Sequence, residues 1–366
     1  MALLFMDGFE GYIDRGDLLK TQGDCFWSTY SSPSAAPLVF NSTIYRTAQT
    51  TPANSRSLEF GAASGDSPDA CLTTPRKTEL IVGFAYRLDW VPGSIPASII
   101  RFGDDICQTE GYGLAVNSSR QLIVGRLSGS QVYYIDGTAS TPVTLDAWHY
   151  IEIRVLYGNG TGECEVYLDG VQVLNLTGRN TSQNVASSGY QRIYFGRYST
   201  TSSHPRMYID DLYVCDTTGA DNNSFLGPVG VFSLMPTGAG SSTQMTAVGA
   251  ASNWEAVDEG VSDDATTYVE SSTNGHIDYY AFEALPPAAG INTVPGVMMK
   301  VKATTDSANR GLFLKLKNGA NIITSAVKNF FAGGWAYNYH IAEKAPDGTD
   351  WTPTSVDNTE AGQEIN

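Results

Sequence analysis

Pairs of carboxylates are the residues of this 366-residue chain whose types and spacing could do chemistry. A retaining glycosidase needs two carboxyl groups about 5 to 5.5 Å apart, and alternate residues of a β-strand can supply them because they face the same side of a sheet. Glu163 and Glu165 alternate in this way, but Tyr167, the next residue on that face, is not acidic. The chain also contains no Glu-x-Asp pattern. The spacing therefore does not predict a glycosidase.

Two further acidic pairs are adjacent rather than alternating. Asp210 and Asp211 lie within the strand-like stretch MYIDDLYVC, and Asp104 and Asp105 lie within FGDDIC, which reads as a loop. Neighbouring residues of a strand point to opposite faces, so Asp210 and Asp211 are poorly placed to act together as acid and base.

The other residue types that carry chemistry are scattered. The four histidines form no H-x-x-x-H or H-E-x-x-H motif, and neither a G-x-S-x-G elbow nor a phosphate-binding G-x-x-x-x-G-K occurs. The five cysteines occur singly, without a C-x-x-C, which argues against zinc and thioredoxin-like sites. The sequence thus assigns no catalytic residue, and we expect the chain not to be an enzyme.

Charge and hydropathy exclude two classes of partner. The net charge of -16 and the pI of about 4.5 work against binding nucleic acid, and no cluster of basic residues compensates for them. No stretch approaches the roughly 18 to 20 apolar residues that cross a bilayer, and MALLFMDGFE turns polar too soon for a signal peptide. We expect a soluble protein made in the cytoplasm.

The elements that position these residues are short strands spaced about ten residues apart. The clearest signal is Asp146 to Val173, which predicts a three-stranded meander with a tight turn at Asp169-Gly170. No amphipathic helix longer than about two turns can be placed. The pattern is typical of an all-β sandwich or barrel.

Composition also predicts the domain organisation. A polar, turn-rich stretch closes a first domain near residue 220, residues 221–250 form an extended connector, and residues 251–366 form a smaller β-sandwich. The segment after Asp350 reads as an irregular polar tail.

Four motifs carry a resemblance to a known family: DGFE at 7–10, WHYIEI at 148–153, EVYLDGVQV at 165–173 and IDDLYV at 209–214. Together they resemble the concanavalin A-like or laminin G-like jelly roll, in the version found in bacteriophage virion proteins. The resemblance covers residues 1–220 and implies that the opening and closing strands pair, with Asp7 to Phe9 near Ile209 to Tyr213. The stretches at 225–237, 253–259 and 263–269 are similar to phage minor structural and tail-associated proteins.

The resemblance implies a virion structural protein that acts in particle assembly or surface display. Other virion proteins are then its partners, and a symmetric homo-oligomer is the default state. The alternative is a carbohydrate-binding adhesin that contacts a host surface glycan through the jelly-roll loops.

Calcium is the one ion that the resemblance suggests, because laminin G-like domains sometimes hold it. Asp104, Asp105 and Asp210 are the candidate ligands, since calcium prefers hard oxygen atoms. The competing interpretation of Asp210-Asp211 is structural: one carboxylate accepts hydrogen bonds from backbone amides of the opening strand, and the other faces solvent.

Overall fold

The computed structural model describes residues 2–28, 38–47, 55–60, 69–90, 96–104, 110–128, 131–182, 188–196, 206–286, 293–306 and 310–366. Helix in these ranges is confined to α1 (Arg15–Leu18) and α2 (Pro353–Asp357), so the predicted all-β class is confirmed. Neither of these helices has the length and apolar character that crossing a bilayer requires.

The chain forms two compact units that alternate along the sequence. The first comprises Met1–Phe9, Asp24–Thr47 and Arg56–Val231, and the second comprises Glu10–Gly23, Ala48–Ser55 and Phe232–Asn366. The division therefore falls after Val231 rather than near residue 220, and a short amino-terminal segment belongs with the carboxyl-terminal unit.

Fifteen described strands build the first unit: β1 (Leu3–Asp7), β2 (Phe26–Ser28), β3 (Val39–Asn41), β4 (Ser57–Phe60), β5 (Asp69–Lys77), β6 (Glu79–Leu88), β7 (Ala97–Gly103), β8 (Glu110–Val116), β9 (Gln121–Ser128), β10 (Gln131–Pro142), β11 (Trp148–Leu156), β12 (Asn159–Leu168), β13 (Val171–Asn180), β14 (Tyr190–Gly196) and β15 (Met207–Cys215).

These strands form two antiparallel sheets that pack as a jelly-roll sandwich. The eight-stranded sheet has the order β13-β12-β11-β6-β15-β4-β3 with β1 paired to β15, and the seven-stranded sheet has the order β10-β9-β8-β7-β14-β5-β2. The predicted meander is confirmed as β11-β12-β13, and Asp169 and Gly170 have the positive φ values, 52° and 79°, of its tight turn. The expected meeting of the two ends is confirmed as well, because Asp7 lies opposite Leu212.

Aromatic side chains fill the space between the two sheets. Phe84 of the eight-stranded sheet meets Phe195 of the seven-stranded sheet edge to face, with ring centroids 5.6 Å apart. Trp27 packs against Phe195 and Phe5, and its indole N–H donates a 3.1 Å hydrogen bond to Oδ2 of Asp7. Buried Asp7 thus satisfies the one polar atom of the largest core side chain.

The cysteines that the structure describes are buried, as the sequence predicts. Cys25, Cys71, Cys164 and Cys215 are buried and form no disulfide, whereas Cys107 lies outside the described residues.

Ten described strands build the second unit: β16 (Pro236–Thr243), β17 (Thr246–Val248), β18 (Tyr268–Glu270), β19 (Ile277–Phe282), β20 (Val297–Ala303), β21 (Gly311–Asn318), β22 (Asn321–Thr324), β23 (Lys328–Asn329), β24 (Ala336–Ala342) and β25 (Glu360–Ile365). Six form a sheet of order β16-β19-β25-β21-β22 with β23 on β21, and β17-β18 and β20-β24 form two-stranded sheets. The expectation of an irregular tail after Asp350 is wrong, because β25 lies at the centre of the six-stranded sheet.

The amino-terminal segment Glu10–Gly23 is bound into this second unit. Asp17 of α1 accepts a 2.7 Å hydrogen bond from Nζ of Lys302 and a 2.8 Å bond from the Tyr337 hydroxyl. The backbones of Gln22 and Lys20 bond to Tyr337 as well. Strand β24 is therefore covered by a segment that lies more than 300 residues earlier in the chain.

Candidate functional site

Asp210, the calcium candidate in β15, is fully buried and is bonded to backbone amides. Its Oδ2 accepts a 2.7 Å bond from the amide of Arg46, and its Oδ1 accepts a 2.8 Å bond from the amide of Asp211. Burial raises the pKa of Asp210, and the adjacent Asp211 raises it further. The structural interpretation is thus correct in kind, but the amides belong to residue 46 and to β15 itself, not to the opening strand.

Asp211 does not face solvent, and it does not point away from Asp210. Its φ of 49° and the bulge between residues 210 and 213 break the alternation of the strand. Its Oδ2 accepts hydrogen bonds from the Arg46 guanidinium at 2.6 Å and the Thr47 hydroxyl at 2.7 Å. Burial raises the pKa of Asp211, against the opposing effect of Arg46. Both carboxylates therefore hold one segment, residues 46–47.

Asp211 and a third carboxylate, Glu152, hold the chain that leaves the sandwich. We call Phe225–Val231 the connector strap. The amide of Val231 donates a 2.7 Å bond to Oδ1 of Asp211, and the amide of Gly227 donates a 2.8 Å bond to Oε1 of Glu152. Glu152 is buried in β11 and also accepts from the Tyr213 hydroxyl. These contacts explain why the strap belongs to the first unit.

The structure does not place the other two calcium candidates, Asp104 and Asp105, in a group of described residues that could bind the ion. Asp104 is fully buried just after β7, and Asp105 lies outside the described residues. Within the described ranges no group of three or more His, Cys, Asp or Glu residues is arranged to hold a metal ion. Calcium binding stays a prediction from the sequence.

The carboxylates and the histidine near the meander are used in local contacts. Arg154 bonds to Glu165, lies 3.7 Å from Glu163 and also bonds to Glu79. His149 accepts from the amide of Thr144 at Nε2, which leaves the proton on Nδ1 for a 2.7 Å bond to Asp169. These residues tie neighbouring strands and turns together.

A second polar cluster lies on the outer face of the seven-stranded sheet, and the sequence analysis did not single it out. Phe195 points into the core, so Tyr194, its neighbour on β14, points away from it. Arg101 and Cys71 lie directly opposite Tyr194 on the flanking strands and share this outward face. We call this the Arg–Tyr row; across the sheet it consists of Ser28, Cys71, Tyr194, Arg101, Gly113 and Gly125.

The centre of the Arg–Tyr row is a buried cation–π pair. Cζ of Arg101 lies 4.4 Å from the centroid of the Tyr194 ring, and the two residues are only 4% and 2% exposed. The Tyr194 hydroxyl is buried and has no hydrogen-bond partner of good geometry among the described residues. Burial raises the pKa of Tyr194 to about 12, although Arg192 and Arg101 both favour its ionised form.

The next row on this face opens towards solvent. Arg192, two residues before Tyr194, is half-buried and lies opposite Thr73. Thr73 in turn lies opposite Phe26 on the edge strand β2, and Phe26 is 38% exposed. The row of Arg192 and Phe26 is thus partly open to solvent, whereas the pair of Arg101 and Tyr194 beside it is buried.

A period-two signal for these residues exists in the sequence. Ile100-Arg101-Phe102 and Ile193-Tyr194-Phe195 each place one polar or amphipathic side chain between two apolar ones. The sequence does not show that β7 and β14 are neighbours, because 86 residues separate the end of β7 from the start of β14.

No protein-family model and no curated protein matches this chain. Solved structures that it resembles include "Cellulose induced protein, Cip1", at 15% identity over 62% of this chain and 100% of that one, with a TM-score of 0.39. They include alginate lyase Aly36B, at 14% identity over 43% of this chain and 80% of that one, with a TM-score of 0.33. They also include a sialidase, at 16% identity over 58% of this chain and 18% of that one, with a TM-score of 0.38.

These comparisons correct one expectation. The sequence led us to expect that the chain is not an enzyme, but the structures it resembles include a lyase and sialidases. Absence of these short motifs does not exclude an enzyme, because catalytic residues can come together from separate strands.

Proposed function

We propose that this chain is a structural component of a bacteriophage virion and acts in particle assembly or surface display. The observation that carries the proposal is the connector strap, which is fastened along the first unit by buried carboxylates. These two carboxylates, Glu152 and Asp211, belong to the motifs that resemble phage virion proteins.

The motif residues Glu152 and Asp211 thus have a structural role, which is to hold the strap. Hydrogen bonds to a charged acceptor are roughly twice as strong as neutral ones, and Glu152 and Asp211 each accept one from the strap backbone. The chain therefore leaves the first unit at a fixed point. A fixed exit point suits a subunit that must present its sandwich in a defined way on a particle.

Aromatic residues support the same proposal. Tyr167 of the meander packs against Phe225 at the start of the strap, with ring centroids 4.5 Å apart and ring planes tilted by 47°. This contact adds apolar surface to the polar anchors, so the strap is held by both kinds of interaction.

The experiment is to locate the protein on particles. An antibody against the first unit is applied to phage purified on a density gradient, and gold-labelled particles are imaged by electron microscopy. We expect the label at repeated, symmetry-related positions on the particle. Protein found only in the infected-cell lysate and absent from purified particles would contradict the proposal.

A further inference from the structure

We propose that Asn318 is a site of spontaneous covalent modification, in which the backbone nitrogen of Gly319 converts the side-chain amide of Asn318 into a carboxylate. The two residues lie at the tip of the hairpin that joins β21 to β22. This inference goes beyond a role in assembly and does not depend on it.

The chemistry uses only the asparagine, the glycine after it and water. The Gly319 nitrogen loses its proton and forms a bond to Cγ of Asn318, the Cγ–Nδ2 bond breaks, and ammonia leaves. Water then opens the cyclic imide at either of its carbonyl carbons, so the product is an aspartate or an isoaspartate. Glycine favours the attack because it has no Cβ to obstruct the nitrogen or to restrict the backbone.

The same dipeptide occurs at Asn159-Gly160 and Asn274-Gly275, but there the backbone is held. The Gly275 amide donates a 2.9 Å hydrogen bond to the carbonyl of Ile365, so the attacking nitrogen is already engaged. Next to Asn159, Gly158 donates a 2.9 Å bond to the Thr181 hydroxyl and accepts a 2.9 Å bond from the Thr181 amide. Cyclisation at either asparagine therefore requires hydrogen bonds to break first.

The tip at Asn318 is less restrained. Gly319 has a φ of 59° and Ala320 has no positive φ, as in the type II′ turn of a two-residue hairpin. The closing pair of this hairpin is Asn318 and Asn321, and among the described residues the Gly319 amide donates no backbone hydrogen bond. Both turn residues are exposed. The Asn318 side chain is held by a long bond of 3.4 Å from Nδ2 to the carbonyl of Ser355.

The modification changes the edge of the six-stranded sheet. A carboxylate at residue 318 replaces the Nδ2 donor with an oxygen atom that faces the Ser355 carbonyl. An isoaspartate also adds one carbon atom to the main chain at the closing pair of the hairpin, which shifts its register. Strand β22 is an edge strand, and Ile322 within it is 47% exposed. We therefore expect the modified hairpin to hold β22 less firmly.

The test follows the three Asn-Gly sites in the folded full chain. The protein is incubated at mildly alkaline pH in heavy-oxygen water, and its peptides are analysed by mass spectrometry; incorporated heavy oxygen marks a conversion that preceded digestion. We expect conversion at Asn318 to be at least about 10-fold faster than at Asn159 or Asn274. Equal rates at the three sites, or an Asn318 that stays unmodified, would overturn the proposal.

The chain unfolded in urea is the control for local sequence. There the three sites should convert at similar rates, because the hydrogen bonds beside Asn159 and Asn274 are lost. The same preference for Asn318 in the unfolded chain would show that the fold does not select the site.

Two variants separate the reaction from its consequence. Asn318→Gln should abolish conversion at this position because its longer side chain would have to close a larger ring, whereas Asn274→Gln is the matched control and should leave conversion at Asn318 unchanged. Asn318→Asp carries the charge of the product, and we expect faster hydrogen–deuterium exchange across Asn321–Thr324 than in Asn318→Gln. Equal exchange in these two variants would overturn the effect of the carboxylate on β22.

Discussion

At the scale of single residues, the ion pair between Asp17 and Lys302 allows a direct test of what stabilises the second unit. Both side chains are almost fully buried, at 3% and 4% exposure, and Oδ1 lies 2.7 Å from Nζ. Lys302 also pairs with Asp264, but that side chain is 33% exposed, so Asp17 is the buried partner of Lys302, and loss of a buried ionic partner is strongly destabilising. Asp17→Asn should lower the free energy of unfolding of the second unit by about 3 kcal/mol, measured by urea denaturation.

The chain offers an exposed pair as the control. Lys344 bonds to Asp350, whose side chain is 85% exposed. Solvent screens this pair, so Asp350→Asn should cost less than about 1 kcal/mol. Similar losses in the two variants would contradict the importance of burial.

The same aspartate predicts a dependence on pH. Burial acts to raise the pKa of Asp17, but the bonds from Lys302 and Tyr337 outweigh it and hold the pKa below its ordinary value of 3.8. A lowered pKa in the folded protein means that the stabilisation is present above the ordinary pKa and is lost as the pH falls through the folded value. Urea midpoints of the second unit between pH 7 and pH 2 should fall less steeply in Asp17→Asn than in the native chain. Parallel curves would disprove the assignment to Asp17.

Individual residues also show where side-chain orientation could not be predicted from the sequence. The expectation that Asp210 and Asp211 point to opposite faces failed, because alternation holds only where the backbone stays extended. The positive φ of Asp211 turns its carboxylate to the side of its neighbour. The hydrophobic pattern contains no signal that predicts a β-bulge at a non-glycine residue.

At the scale of elements, the connector strap depends on one buried carboxylate in β11. Glu152→Ala leaves the Gly227 amide and the Tyr213 hydroxyl without their acceptor. Each buried donor left unpaired costs roughly 1 to 3 kcal/mol. We expect faster hydrogen–deuterium exchange across residues 225–231, measured by mass spectrometry, and a lower melting temperature of the first unit.

Glu163→Ala is the matched control for the strap. Glu163 is 37% exposed and lies 3.7 Å from Arg154, so its removal should leave exchange in the strap unchanged. Faster exchange of the strap in both variants would indicate general loosening of the sheet.

Elements were predicted best where the pattern is local. The meander β11-β12-β13 follows from alternation and a turn dipeptide within 28 residues. Strand β25 was missed because Glu360–Ile365 reads as polar, yet it pairs with β19 and β21 on both sides. Its Gln363 is satisfied inside the unit by a 2.9 Å bond to the Tyr280 hydroxyl, and such a partner is invisible in the sequence of the strand itself.

At the scale of the whole molecule, the two units are discontinuous in sequence. A fragment that contains only the carboxyl-terminal part of the second unit can therefore show how much stability the amino-terminal segment contributes. A fragment of residues 232–366 lacks Glu10–Gly23 and with it Asp17, so Lys302 keeps only Asp264 as an ionic partner among the described residues. We expect the fragment to unfold at lower urea concentration than the second unit of the full chain. A synthetic peptide of residues 10–23 should restore stability in a concentration-dependent way.

An Asp17→Asn version of that peptide is the control and should restore less. A fragment as stable alone as within the full chain would contradict the role of the segment. Composition could not have predicted that residues 10–23 belong to the second unit, because this placement depends on contacts between residues more than 300 positions apart.

The pairing of β1 with β15 has a consequence for synthesis of the protein. Within the described sheets β1 pairs with no strand other than β15. Leu3–Asp7 therefore cannot form its backbone hydrogen bonds until Met207–Cys215 has been synthesised. At about 5 to 20 residues per second, translation of the intervening 200 or so residues takes roughly 10 to 40 s. During that interval an apolar strand stays unpaired on the ribosome, and the eight-stranded sheet is completed only late in translation of the first unit.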